Sequence, residues 1–186
     1  SGLLSPTIGT TSKSGVEMTL PFYWNIAPDM DATISPRELS KRGVQWGGEF
    51  RYLDQNYNGL VRGEYLPDDR IAQRSRSNLY LTHAKNMGFG FAGSLNLNSV
   101  SDDSYFTDLS SRLTNIAQNN LLRQGVLSYG SSWWNASAMA QRFQTLQDPA
   151  LPPVSVPYHR LPQLTLNAYR ADFPLGSAFT FNGEFV

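Results

Sequence analysis

Two histidines, two pairs of adjacent aspartates and one glycine-rich run are the residues of this chain whose types suit chemistry. His83 and His159 are the only imidazoles, and neither stands near a nucleophile motif such as G-x-S-x-G. A Ser–His–Asp site needs base, orienting carboxylate and hydroxyl within hydrogen-bond reach, and no spacing here selects such a set. Asp68-Asp69 and Asp102-Asp103 are carboxylate pairs. A calcium loop places its ligands at alternate positions around a glycine, which neither pair does, so both read as solvated loop charge. Gly88-Phe89-Gly90-Phe91-Ala92-Gly93 satisfies G-x-G-x-x-G. That pattern holds a pyrophosphate only where a strand turns into a helix, whereas these glycines fall in an alternating run that continues to Leu97. They are expected to mark close packing or bending within a strand. Asn135-Ala136-Ser137 has the form of a glycosylation acceptor but lies inside a predicted strand. With no cysteine, thiolate metal sites and Cys nucleophiles are also excluded from this segment. No acid–base or nucleophilic constellation emerges, and neither an enzyme nor a cofactor is expected.

The bulk charge narrows the partners. Lys+Arg and Asp+Glu number 15 each, and the pI is near 6.7, so no basic face is available to neutralise phosphates and no nucleic-acid partner is expected. Charged residues are 16% of the chain, below the ~25% of an ordinary soluble domain, while aromatics reach 12%. No run approaches the ~18 apolar residues of a membrane helix, and Ser1-Gly2-Leu3-Leu4 does not open a signal peptide. Few charges, many aromatics and no spanning helix suit either a soluble β-sheet protein or a membrane β-barrel.

The elements that must position these residues are strands. Val16, Met18, Leu20, Phe22 and Trp24 are apolar at every second position, and the same period recurs at Met30–Ile34, Val44–Tyr52, Val61–Tyr65, Phe89–Leu97, Leu164–Ala168 and Phe179–Phe185. Weaker strands fit residues 3–11, 77–86, 120–130 and 133–145, about eleven in all. Short turns rich in Gly, Pro, Asn and Asp alternate with longer polar stretches after Leu66-Pro67, Asn98 and Leu146. The pattern predicts an all-β, antiparallel up-and-down meander. One short helix is expected over 104–117, inside the 99–120 loop, because Phe106, Leu109, Leu113 and Ile116 recur at spacings of three and four.

The polar face of these strands carries Thr, Ser, Asn, Gln and Gly with scattered charges, and almost no lysine. The apolar face carries Trp24, Tyr52, Tyr65, Trp133 and Trp134 towards strand ends. That combination fits a lipid-facing band with aromatic girdles around a polar lumen better than a soluble sandwich, which stays open as the alternative. Pro6 and Pro21 fall in the interiors of the first two predicted strands, where each removes a ladder donor. From spacing alone a deliberately weak edge and two harmless positions stand level.

Several stretches resemble one family in the same order. Pro21-Phe22-Tyr23-Trp24-Asn25-Ile26-Ala27-Pro28-Asp29-Met30-Asp31-Ala32-Thr33 is similar to the run P-Y-Y-W-N-I-A-P-N-x-D-A-T of the LptD family of lipopolysaccharide assembly proteins, also called organic solvent tolerance proteins. Arg42-Gly43 with Gly48–Leu53, Glu64-Tyr65-Leu66-Pro67, Ser101–Asp108 and Tyr158–Leu164 resemble further family words. The resemblance implies a translocon in the outer membrane of a Gram-negative bacterium that releases lipopolysaccharide into the outer leaflet and breaks no bond. It implies that residues 1–186 are the N-terminal portion of a transmembrane barrel, incomplete alone. It implies as partners lipopolysaccharide, the plug lipoprotein LptE, the periplasmic bridge protein LptA acting through a domain absent from this segment, the barrel assembly machinery and outer-membrane lipid. In the family, prolines in the first two strands loosen a seam into a lateral gate, and Pro6 and Pro21 match those positions. Glu17, Thr19, Asp31, Thr33, Glu49 and Arg51 are then expected to form the lumen-facing wall. A generic outer-membrane pore is the alternative function, and a soluble sandwich module the more distant one.

Overall fold

Period-two sequence becomes extended chain nearly everywhere, because side chains alternating between two environments satisfy a strand and no other element. The computed structural model describes residues 1–109, 119–147 and 152–186. Its strands are β1 (Gly2–Leu3), β2 (Thr7–Thr11), β3 (Gly15–Thr19), β4 (Phe22–Ala27), β5 (Met30–Leu39), β6 (Gly43–Leu53), β7 (Tyr57–Asp69), β8 (Arg74–Gly88), β9 (Phe91–Val100), β10 (Asn120–Gly130), β11 (Trp134–Thr145), β12 (Arg160–Phe173) and β13 (Ser177–Phe185). All thirteen belong to one antiparallel sheet in which each strand from β4 onward pairs with the next. The chain thus forms a single open meander, and no second sheet packs on it among the described residues. From β6 to β12 the strands run between ten and fifteen residues.

Thirteen strands replace the expected eleven because the first two predicted strands are each broken once. The run 3–11 splits into β1 and β2 around Leu4-Ser5-Pro6, and the next splits into β3 and β4 at Leu20-Pro21. The physical reason is proline's missing donor at both breaks. Three further details differ from expectation. β7 continues through Pro67 to Asp69, so the polar stretch after Leu66 is strand with a tight connection rather than a long loop. The glycine run is not strand interior: Gly88, Phe89 and Gly90 have φ of 77°, 52° and 87° and form the β8–β9 turn. A side chain at Gly90 would strike the Gly130 carbonyl, so this turn needs glycine for space as well as for φ. The helix is α1 (Tyr105–Leu109); Leu113 and Ile116 lie outside the described residues.

The turns sort onto two rims. The first rim carries the β4–β5, β6–β7, β8–β9, β10–β11 and β12–β13 connections, none longer than a few residues. The second carries the β2–β3, β5–β6 and β7–β8 turns and both long connections, 101–119 and 146–159. The sheet's two faces are as unlike as its rims. Register places Trp24, Ile34, Trp46, Tyr65, Leu79, Leu95, Leu127, Leu166 and Phe181 on one face, all of them exposed. An exposed apolar surface of that extent has no counterpart in a protein whose whole surface meets water. The other face is polar. The small buried core sits at the second rim, where Tyr105, Phe106 and Leu109 of α1 cluster with Leu39, Leu66, Val100, Leu121 and Leu146.

Candidate functional site

The six predicted wall residues share the polar face. Glu17 and Thr19 pair with Leu39 and Arg37 of β5, and the same face of β5 presents Asp31 and Thr33 opposite Arg51 and Glu49 of β6. Alternation puts these residues on one side, and cross-strand register sets the ion pairs between them. Arg51 grips Asp31 with two parallel bonds, Nε to Oδ1 at 2.8 Å and Nη2 to Oδ2 at 2.9 Å. The Tyr23 hydroxyl donates to the same carboxylate at 3.5 Å. Arg51 also lies 3.8 Å from Glu49, which accepts from Arg62 Nε at 2.8 Å, and the Arg62 guanidinium sits 6.0 Å from the centre of the Tyr80 ring. A continuous lane of alternating charge therefore crosses from β4 to β8. Every cation in it faces a carboxylate, so the lane offers hydrogen bonds to a polar solute without a net field that would trap a charged one.

A second network ties the connection after β9 to the same face. Arg76 has a fully buried side chain and bonds Asp102 at 2.7 and 2.9 Å, Asp108 at 2.9 Å and Asp69 at 3.2 Å. Arg42 bonds Asp69 at 2.6 Å, and Asp69 also accepts from the amides of Ile71 and Ala72 across the β7–β8 turn. Burial disfavours the charged form of Asp102, yet hydrogen bonds from Arg76, Ser101 and Ser104 hold its carboxyl below the usual carboxylate range. Tyr105 donates to Glu64 at 2.8 Å and accepts from Gln45 at 3.0 Å. Burial, with the Glu64 charge beside it, pushes that phenol above its ordinary range. Arg37 closes the circuit by joining Glu17 at 2.6 Å to the Leu109 carbonyl at 2.9 Å.

Asp69 and Asp102 are thus not solvated loop charge. Both are ion-paired, Asp69 fully buried and Asp102 half-buried, because Arg42 arrives from the β5–β6 turn and Arg76 from β8, contacts that local sequence does not reveal. Neither arginine has a motif around it; only their long-range register singles them out. The histidines are kept four strands apart. His83 Nδ1 meets the Tyr52 hydroxyl at 2.7 Å across Gly59 on the apolar face, and His159 Nδ1 accepts from the Phe143 amide at 3.4 Å. No group of three His, Asp or Glu side chains suited to a metal ion occurs among the described residues. The apolar face carries an aromatic girdle at each rim. Phe91, Tyr129 and Trp134 stack in sequence near the first, with ring centres 4.7 and 4.6 Å apart, and Trp46 pairs with Tyr65 near the second.

Pro6 and Pro21 stand at one level of the first hairpin. Above them β2 pairs β3 from Thr7↔Thr19 to Thr11↔Gly15, and below them β1 pairs β4 only at Gly2↔Tyr23 and Leu3↔Phe22. Between these stretches Leu4, Ser5 and Pro6 face only Leu20 and Pro21, a bulge of one residue. The Pro21 carbonyl accepts from the Leu4 amide at 2.8 Å, and the Pro36 carbonyl on β5 accepts from the Leu20 amide at 3.1 Å. Three prolines that cannot donate therefore meet where β1–β2, β3–β4 and β5 run side by side.

Comparison with known proteins places this geometry. The chain is 51% identical over its whole length to the LPS-assembly protein LptD of Azoarcus sp. (strain BH72) and to that of Aromatoleum aromaticum, covering 23% of each. It is 46% identical to the LPS-assembly protein LptD of Nitrosomonas europaea, again over its whole length and 26% of that protein. The chain spans about a quarter of the length of the curated relatives it matches. Residues 74–186 match the family described as LptD, LPS transport system D, and the chain belongs to that family.

Proposed function

We propose that this chain forms part of an outer-membrane barrel wall that passes lipopolysaccharide to the outer leaflet of a Gram-negative bacterium. The apolar face meets lipid between its two girdles, and the polar face, with Glu17, Thr19, Asp31, Thr33, Glu49 and Arg51, lines the lumen. Pro6 and Pro21 loosen the first hairpin into a lateral gate. The protein acts as a conduit, without covalent chemistry. The observation that carries the reading is the coincidence of both prolines in strand breaks at one level of the first hairpin, in a chain of the LptD family. In hydrocarbon an unpaired backbone group is costly, so a wall parts where its ladder is already thin. Acyl chains then leave sideways while sugars remain against the neutralised lane of Asp31, Arg51, Glu49 and Arg62. Family membership also supports LptE as the plug in that lumen, LptA as the periplasmic donor and the barrel assembly machinery as the folding partner.

The test is export by the full-length protein carrying Pro6→Ala and Pro21→Ala together. Each change restores a ladder donor, so newly made lipopolysaccharide should reach the cell surface several-fold more slowly while barrel abundance is unchanged. Undiminished delivery by a folded double variant would overturn the gate.

A further inference from the structure

Arg123 and Arg142 are direct cross-strand partners on β10 and β11. Arg123 opposes Leu97 of β9, and Arg142 lies two pairs from Gly125↔Ala140, so both belong to the apolar face. Like charges directly opposite one another destabilise a strand pair, and no carboxylate bonds either guanidinium among the described residues. Arg123 is held by neutral acceptors alone: the Asn98 carbonyl at 3.0 Å, Ser99 Oγ at 2.7 Å and Gln144 Oε1 at 2.6 Å. Those bonds occupy Nε and Nη2, and Nη1 makes no hydrogen bond among the described residues. Arg142 is exposed and makes no bond among the described residues. By contrast, Arg37, Arg42, Arg51, Arg62 and Arg76 are each matched to a carboxylate.

Depth identifies the ligand. Arg123 is the third residue after the start of β10, and Arg142 the third before the end of β11. Trp46 of the second-rim girdle is likewise the third after the start of β6, so the two arginines lie at girdle level, where lipid headgroups meet acyl chains. The second rim carries both long connections, the mark of the cell-exterior end of an outer-membrane barrel. We infer that Arg123 and Arg142 form an outward-facing site for the phosphate of an outer-leaflet glycolipid, apart from the transport lumen. The ligand class is a phosphorylated, acylated sugar, namely lipopolysaccharide already delivered. Guanidinium and phosphate match in planar, two-bond geometry, and one phosphate between the two arginines removes their mutual repulsion. The inference rests on the barrel reading.

The test uses the full-length protein in detergent, titrated with lipopolysaccharide stripped to its phosphorylated acyl-disaccharide and followed by native mass spectrometry. Arg123→Gln with Arg142→Gln should weaken binding about tenfold or more, since each charged pair is worth roughly that factor. The dephosphorylated lipid should bind the unaltered protein as weakly. Arg142→Gln alone, at a side chain bonded to nothing, keeps the fold and should still lose several-fold. Arg170→Gln is the control, because Arg170 opposes Phe179 on the same face but near the first rim. Equal binding by all variants, or equal loss with Arg170→Gln, would overturn the site. A photocrosslinking residue at outward Leu79 separates the two claims. Capture of lipid there with unchanged binding refutes the arginine site alone, whereas no capture refutes the barrel reading and the site with it.

Discussion

The first hairpin and the corner built by β7, β8 and α1 solve opposite problems with the same polar face. The corner concentrates what binds a structure together: a buried arginine bridging three carboxylates, a buried tyrosine bonded on both sides, and the molecule's small apolar core. The hairpin is nearly the reverse. All five residues of β2 are exposed, β1 pairs over two residues, and prolines interrupt both legs. The corner reaches towards the hairpin only above the break, where Lys13 donates to the Thr107 carbonyl at 2.7 Å and Arg42 to the Lys13 carbonyl at 3.2 Å. Below the break nothing from α1 is recorded against β1 or β4 among the described residues. The proposed lateral gate needs a compliant edge beside a rigid neighbour, and the two regions have that contrast.

The largest effect that sharpens this contrast comes from Arg76→Ala. Among the described residues, removing a buried cation leaves Asp69 ion-paired to Arg42 alone and Asp102 to the exposed Arg74 alone, which should cost about 3–5 kcal/mol. Urea unfolding of the full-length protein in detergent, read by tryptophan emission, checks it. A loss no larger than that of an ordinary surface substitution would place the anchor elsewhere.

A smaller effect follows from pH. The Asp102 carboxyl titrates below its usual range in the folded protein, so its contribution is complete above about pH 3.9 and fades as pH falls through the lower folded value. The Tyr105 phenol titrates above its range, so its contribution is complete below about pH 10 and fades as pH rises further. Protease resistance of the 101–119 connection should therefore stay flat between those limits and fall outside them. A transition near pH 6 would assign the hold on this connection to other groups.

Much of this was legible in the residues. Alternation identified the strands, because one face demands apolar side chains and the other tolerates small polar ones. The placement of Glu17, Thr19, Asp31, Thr33, Glu49 and Arg51 on one polar face followed from the same parity, as did the absence of a helix after Gly88-Phe89-Gly90. The anchoring corner was not legible. Asp69 and Asp102 look like loop charge until Arg42 and Arg76 are brought beside them by register between strands far apart in sequence. The broken strands were half-legible: Pro6 and Pro21 marked missing donors, but only the three-against-two bulge shows that both legs fail at one level. Pro36 completes that failure from β5, and its position in sequence gives no sign of it.

The most direct measurement is amide hydrogen exchange of the full-length protein in a lipid nanodisc. Amides of Gly2–Leu4 and Phe22–Trp24 should exchange about a hundredfold faster than those of Leu79–Leu81 beside the anchored corner, since local opening tracks how few bonds a segment must break. Equal protection in the two regions would contradict a compliant hairpin set against a rigid wall.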